Sequence, residues 1–150
     1  MRIFNGIDPL MAAVGTQLGY STWRTISQSD VDAFAEVTGD HQWIHVDPAR
    51  AARGTFGHTI LHGYFTLALV PLFMGEVFEV RGVSMLINYG CDKVRFPSPV
   101  PTGSRLRGGV EITGLEEAMR GLQLRATLTI EIEGTAKPAC VAETLTLVVP

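Results

Sequence analysis

At 150 residues, the chain suits one domain spanning residues 1–150 and is too short for a second core. Apolar residues make up 46% and charged ones 18%, which excludes a disordered chain and describes a globular protein that needs neither disulfide nor metal to stand. With 12 basic and 15 acidic residues the formal charge is −3, which argues against non-specific binding to nucleic acid.

The opening Met1-Arg2-Ile3-Phe4-Asn5-Gly6 lacks the continuous apolar core of a signal peptide. The most apolar stretch, Tyr64 to Met74, falls well short of the roughly 20 residues a bilayer span requires, and Pro71 interrupts it. Cys91 and Cys140 do not form a disulfide framework and read as free thiols of a reducing compartment. A cytoplasmic address with no membrane contact is expected.

In chain order, the first half reads helical and irregular, with a strand fitting Tyr20 to Ile26. The capping residues Ser27-Gln28-Ser29-Asp30 precede Val31, Phe34, Ala35 and Val37 at helical spacing, and Thr38-Gly39-Asp40 ends the run as a glycine cap does. A short amphipathic helix thus delivers the chain to Asp40. From Gly63 to about Phe78 runs a second helix, apolar all round and so expected to be buried on most sides. Pro71 predicts a kink or break in it.

Beyond Arg81 the period changes to two. Leu122, Leu124, Ala126, Leu128, Ile130 and Ile132 share one face and the intervening polar residues the other, a half-exposed antiparallel strand. Leu106, Val110 and Ile112 set the strand before it, and Val141, Leu145, Leu147 and Val149 are read as the buried set of the last. Val83, Met85, Ile87 and Tyr89 begin another that continues, bent, through Gly90 to Phe96. Pro97, Pro99, Pro101 and Gly103 form a loop. These elements predict an α+β fold, a curved antiparallel sheet wrapped around one central apolar helix.

All four histidines, His41, His45, His58 and His62, fall within 22 residues, with Asp40 and Asp47 among or beside them. Three chemistries fit the cluster. The i, i+4 spacing of each pair suits a metal on a helix, but Gly39-Asp40 and Asp47-Pro48 bracket the first pair and no adjoining Glu completes a zinc-protease motif, so no metal is expected. Structural histidines explain His41 and His58 one at a time. Acid/base catalysis explains Asp40 with His45, since histidine transfers protons near neutral pH.

The stretch Phe34-Ala35-Glu36-Val37-Thr38-Gly39-Asp40-His41-Gln42-Trp43-Ile44-His45-Val46-Asp47-Pro48-Ala49-Arg50-Ala51 resembles the signature of the MaoC-like, R-specific enoyl-CoA hydratases. In that family a Gly-Asp is followed five residues after the Asp by His, here His45, and a small residue, here Ala51, comes six later. Ile60-Leu61-His62-Gly63 matches a second block, and Ile87 to Pro97 with Val100 to Ser104 is similar to later family sequence. The resemblance implies a hot-dog fold, a homodimer with its site near the subunit interface, and hydration of trans-2-enoyl-CoA to (R)-3-hydroxyacyl-CoA, or the reverse. The substrate is then an acyl-CoA or an acyl-carrier-protein thioester, and the reaction calls for no cofactor.

On this reading Asp40 and His45 form the catalytic pair. Gly63 supplies a backbone donor for the thioester oxygen, and His62 and Gln42 lie at the substrate. Gln42-Trp43 departs from the family's Asn-Pro, lengthening the amide and removing the fixed proline geometry. Lys93 and Arg95 read as solvated strand residues, with the phosphates of CoA as the alternative. A hot-dog acyl-CoA thioesterase and a non-catalytic acyl-thioester binding module are the other functions this fold allows.

Overall fold

The computed structural model describes Met1–Pro150. Its longest strands are β6 (Arg105–Ala118), β7 (Gly121–Ile132) and β8 (Cys140–Val149), preceded by β5 (Met85–Arg95), β4 (Phe78–Arg81), β3 (Arg24–Thr25), β2 (Thr16–Tyr20) and β1 (Arg2–Asn5). Six of them form an antiparallel sheet in the order β2-β6-β7-β8-β5, with β3 also on β6, while β1 and β4 pair in parallel. The first half therefore holds β1 and most of β2 as strands that its irregular sequence does not announce. The strand expected over residues 20–26 is instead two pieces, β2 and β3, either side of Ser21-Thr22-Trp23.

β7 buries Leu124, Ala126, Leu128, Ile130 and Ile132, as its alternation requires. Pairing then dictates the face of its neighbour. Leu124 lies opposite Thr146, Ala126 opposite Thr144 and Leu128 opposite Ala142, and residues directly opposite share a face. β8 accordingly buries Cys140, Ala142, Thr144, Thr146 and Val148, and the set expected inside, Val141, Leu145, Leu147 and Val149, lies half-buried on the outer face. The buried hydroxyl of Thr144 is satisfied by donating to the Ala126 carbonyl at 3.1 Å.

The central helix is two, α5 (Gly63–Ala68) and α6 (Val70–Val77), joined at Leu69, with Pro71 in the first turn of α6. Proline is tolerated there because the first amides of a helix lack internal acceptors. Val70, Phe73 and Val77 turn toward the sheet. A Cβ on Gly108 of β6 would come within 2.6 Å of the Phe73 Cβ, so glycine is what lets helix and sheet approach. Register shifts in β2, β5 and β6 bend the strands as bulges do. The result is the sheet-around-helix arrangement of the hot-dog fold. No helix is long and apolar enough to cross a membrane.

Helices α2 (Gln28–Thr38), α3 (Trp43–Val46) and α4 (Pro48–Ala51) lie outside the sheet, as does α1 (Ile7–Met11) near the N-terminus. Ser27 caps α2 in a full capping box: its hydroxyl accepts from the Asp30 amide at 3.3 Å, and its own amide donates to Asp30 Oδ2 at 2.8 Å. Such a cap contributes about 1 kcal/mol. Val31 and Ala35 are buried, but Val37 is 87% exposed, because a residue six positions after Val31 falls off the face that i+3 and i+4 define.

β5 is an edge strand, and all of its residues except Val94 are exposed, including Met85, Leu86, Ile87 and Tyr89. An uncovered edge this long and this apolar is a template for pairing with another chain.

Candidate active site

Asp40 stands immediately beyond α2. Gly39 ends that helix with φ at +76°, a left-handed conformation, and its amide bonds the Ala35 carbonyl at 2.8 Å. Only glycine adopts this cap without strain, so the turn that throws Asp40 clear of the helix is built into Gly39. The Asp40 side chain is exposed, and its Oδ1 accepts from the backbone amide of Gln42 at 3.3 Å. The amide held in reserve by Gln42's side chain is therefore not what holds Asp40; the main chain does so. Trp43, in the place of the family's proline, packs against Gly54 and carries Arg50 over its ring at 4.4 Å.

The single turn α3 brings His45 inward until it is 6% exposed. Its Nδ1–H donates to the Ile60 carbonyl at 2.7 Å. A carbonyl can only accept, so Nδ1 carries the proton of the neutral ring and Nε2 keeps its lone pair. Burial pushes the His45 pKa below its ordinary value of 6.5. The bond to Ile60 opposes this, the neighbouring His62 lowers it further, and Asp40 raises it. Near neutral pH the ring is an uncharged base with a fixed tautomer.

His62, the cap residue before α5, is 2% exposed. Its Nε2–H donates to the backbone carbonyl of Asp40 at 2.9 Å. Its ring stacks on His45 with centroids 3.8 Å apart and planes 24° from parallel, and Phe34 packs 5.0 Å behind it. His62 thus ties the Asp40 turn to the His45 ring.

A carboxylate oxygen of Asp40 and one ring nitrogen each of His45 and His62 lie within 4.8 Å of one another. A bound metal would have to lie in the plane of both imidazoles. The stacked rings, with His45 Nδ1 and His62 Nε2 committed to backbone carbonyls, fit a single ion poorly. Asp40 and His45 are instead separated by a span that one hydrogen-bonded water can bridge.

Gly63 is the first residue of α5, where helix geometry leaves the amide without an internal acceptor. With His45, Ile60, Thr66 and Phe96 it borders a cavity of about 380 Å³. A Cβ on Gly63 would sit 3.1 Å from the Phe96 ring, crowding that wall. Asp40 and His62 do not line this cavity, whose polar lining is His45, Thr66, Ser98 and the Gly63 backbone.

The other two histidines stand apart. His41 is half-exposed, 3.7 Å from Glu36, and exposed His58 bonds the Thr59 carbonyl through Nδ1 at 3.1 Å. Lys93 pairs with Glu143 at 3.4 Å and Arg95 bonds the Val94 carbonyl at 2.7 Å, the behaviour of solvated strand residues. Sequence reasoning missed the Ile60 carbonyl that bonds the His45 ring, and Gln28, which bonds the His45 carbonyl and the Thr59 hydroxyl. A main-chain acceptor leaves no mark on residue type, and Gln28 and Thr59 meet only through folding.

Residues 10–134 match the MaoC-like domain family. The chain is 53% identical over 146 residues to 3-hydroxyacyl-thioester dehydratase Z of Mycobacterium tuberculosis, covering 97% of each. It is 44% identical to nodulation protein N of Rhizobium leguminosarum bv. viciae, covering 90% of this chain and 86% of that one. Among solved structures, an (R)-hydratase from A. caviae involved in PHA biosynthesis superposes with a TM-score of 0.74 at 27% identity, covering 91% of this chain and 96% of that one.

Proposed function

The chain belongs to the MaoC-like dehydratase family, and on that premise we propose that it interconverts trans-2-enoyl thioesters and (R)-3-hydroxyacyl thioesters, with Asp40 and His45 as the acid/base pair of a single domain. The observation that carries this reading is the commitment of His45 Nδ1 to the Ile60 carbonyl. It leaves Nε2 with its lone pair as the base, on a ring that has one nitrogen within a water's reach of the Asp40 carboxylate.

In the hydration direction, a water between Asp40 and His45 adds its oxygen to C3 of the conjugated thioester. The pair takes up the proton that water loses, and that proton returns to C2, so the reaction balances without a cofactor. Negative charge gathers meanwhile on the thioester oxygen. The Gly63 amide, at a helix start bordering the same cavity, is the donor for it. The mainly apolar walls around Phe96 and Ile60 lower the local polarity and strengthen that interaction. Gln42 acts at the substrate through the backbone amide that steadies Asp40, and His62 through the Asp40 carbonyl.

CoA thioesters are the substrates of choice in this reading, with acyl-carrier-protein thioesters handled by the same chemistry. The protein works as a homodimer in which the exposed β5 edge pairs with β5 of a second copy; the apolar Met85, Leu86, Ile87 and Tyr89 support that arrangement.

The pH dependence tests the base. His45 must be uncharged to act, and burial lowers its pKa from 6.5. Activity should therefore hold as pH falls to 6.5 and decline only below it. Measured as kcat/KM on a trans-2-enoyl-CoA, the acid limb should lie under 6.5 and be absent from a His45→Gln enzyme's residual rate. An acid limb above 6.5, or one that survives in His45→Gln, would contradict the assignment.

A further inference from the structure

Gln28 opens α2, far in sequence from the catalytic pair, yet its side chain reaches the back of the site. Its Nε2 donates to the backbone carbonyl of His45 at 2.7 Å and to Asp32 Oδ1 at 2.8 Å. Its Oε1 accepts from the Thr59 hydroxyl at 2.6 Å. The three partners fix the orientation of the amide: turned over, its oxygen would face a carbonyl and a carboxylate, and its NH2 would abandon the hydroxyl proton.

Thr59 is 5% exposed, and the residue after it is Ile60, whose carbonyl receives the His45 Nδ1–H. The Ile60 amide in turn donates to the Ile44 carbonyl at 3.0 Å. Gln28 therefore closes a ring of contacts. It grips the His45 main chain on one side, and on the other it holds the segment that supplies the acceptor for the His45 ring. A small slip of either segment would swing Nε2 away from the water it must meet.

We infer that Gln28 is a positioning residue for His45, bracing the ring through the His45 carbonyl and through Thr59. The inference rests on the proposed role of His45 for its effect on rate, but not for its effect on geometry. Gln28 touches neither the cavity nor Asp40's carboxylate in the contacts above, so its loss should act through orientation and leave substrate binding alone. Misplacement of a reacting group by a fraction of an ångström costs about 10-fold or more in rate.

The test is Gln28→Met, which keeps the length and volume of the side chain and removes all three hydrogen bonds. Two readouts apply: steady-state kinetics on a trans-2-enoyl-CoA, and the imidazole N–H proton resonance of His45, identified as the one missing from His45→Gln. The expected result is a folded protein whose kcat falls about 10-fold while KM stays near wild type, with the His45 Nδ1–H resonance broadened or lost. A folded variant with an intact resonance overturns the inference, as does a change confined to KM. If Gln28→Met does not fold, Thr59→Val, which cuts one of the three bonds, is read in the same way and decides by the same resonance. Should wild type hydrate no enoyl thioester, the functional reading fails, and the resonance alone still decides whether Gln28 braces His45.

Discussion

Replacing His45 with glutamine should lower kcat for hydration of a trans-2-enoyl-CoA by about three orders of magnitude, the scale of a lost general acid/base group. Glutamine is close in size and can still present an N–H toward the Ile60 carbonyl, so the site keeps its outline. It has no lone-pair nitrogen to receive a proton from water, so the chemistry does not survive. Some stability should be lost as well. His45 is nearly enclosed, stacked on His62 and bonded to Ile60 at 2.7 Å, and a poorly met buried carbonyl costs about 1–3 kcal/mol. Circular dichroism and a melting curve separate the two effects. A folded His45→Gln enzyme within 10-fold of the wild-type rate would remove His45 from the mechanism.

Asp40→Asn should be comparably severe in rate and nearly silent in stability. The side chain is exposed, and its one contact, Oδ1 accepting from the Gln42 amide at 3.3 Å, is available to the asparagine oxygen too. Exposed substitutions of this kind change stability by about 0.5 kcal/mol or less. What disappears is the negative charge beside the water and beside the histidine that takes or returns its proton. A fall of about 10²- to 10⁴-fold in kcat, with an unchanged melting temperature, is expected. An Asn variant that keeps its rate would show the carboxylate to be a bystander and leave His45 acting alone.

The pH dependence of stability carries the same histidine. A ring whose pKa is lowered by folding binds its proton more readily in the unfolded chain. As pH drops below 6.5 the unfolded state takes up protons first, and stability falls until the folded ring also titrates. The window therefore opens at 6.5 and extends downward.

Much of this was readable in the chain, and where it was not the reasons are physical. Ser27 and Asp30 announced the start of α2 and Gly39 its end, because caps are local chemistry. The alternation of β7 was unambiguous, since one face meets the core and the other solvent. β8 misled because its outward residues are the larger hydrophobes, and its true face is imposed by the register with β7 through Thr144 and Thr146. β1, β2 and β4 are short, and each draws its stability from a partner strand rather than from a period of its own.

Within the site, residue type and spacing marked the histidine cluster with Asp40, and the resemblance to the family motif singled out Asp40, His45 and Gly63 within it. The stacking of His62 on His45 joins residues that sequence separates by 17 positions. The tautomer of His45 depends on a main-chain carbonyl that any residue at position 60 would supply. The Gln28 brace depends on α2 and the Thr59 segment meeting in space. Such features come from tertiary structure alone.

The most direct measurement of the central claim is a paired assay of the wild-type protein on a trans-2-enoyl-CoA series and on the matching saturated acyl-CoAs. It follows loss of the conjugated thioester absorbance alongside release of free thiol. The conjugated absorbance should disappear, (R)-3-hydroxyacyl-CoA should accumulate, and no thiol should be released from either series. Thiol release from the saturated compounds with the conjugated thioester left intact would contradict it and make the protein a thioesterase; tight binding with no turnover of either would make it a carrier.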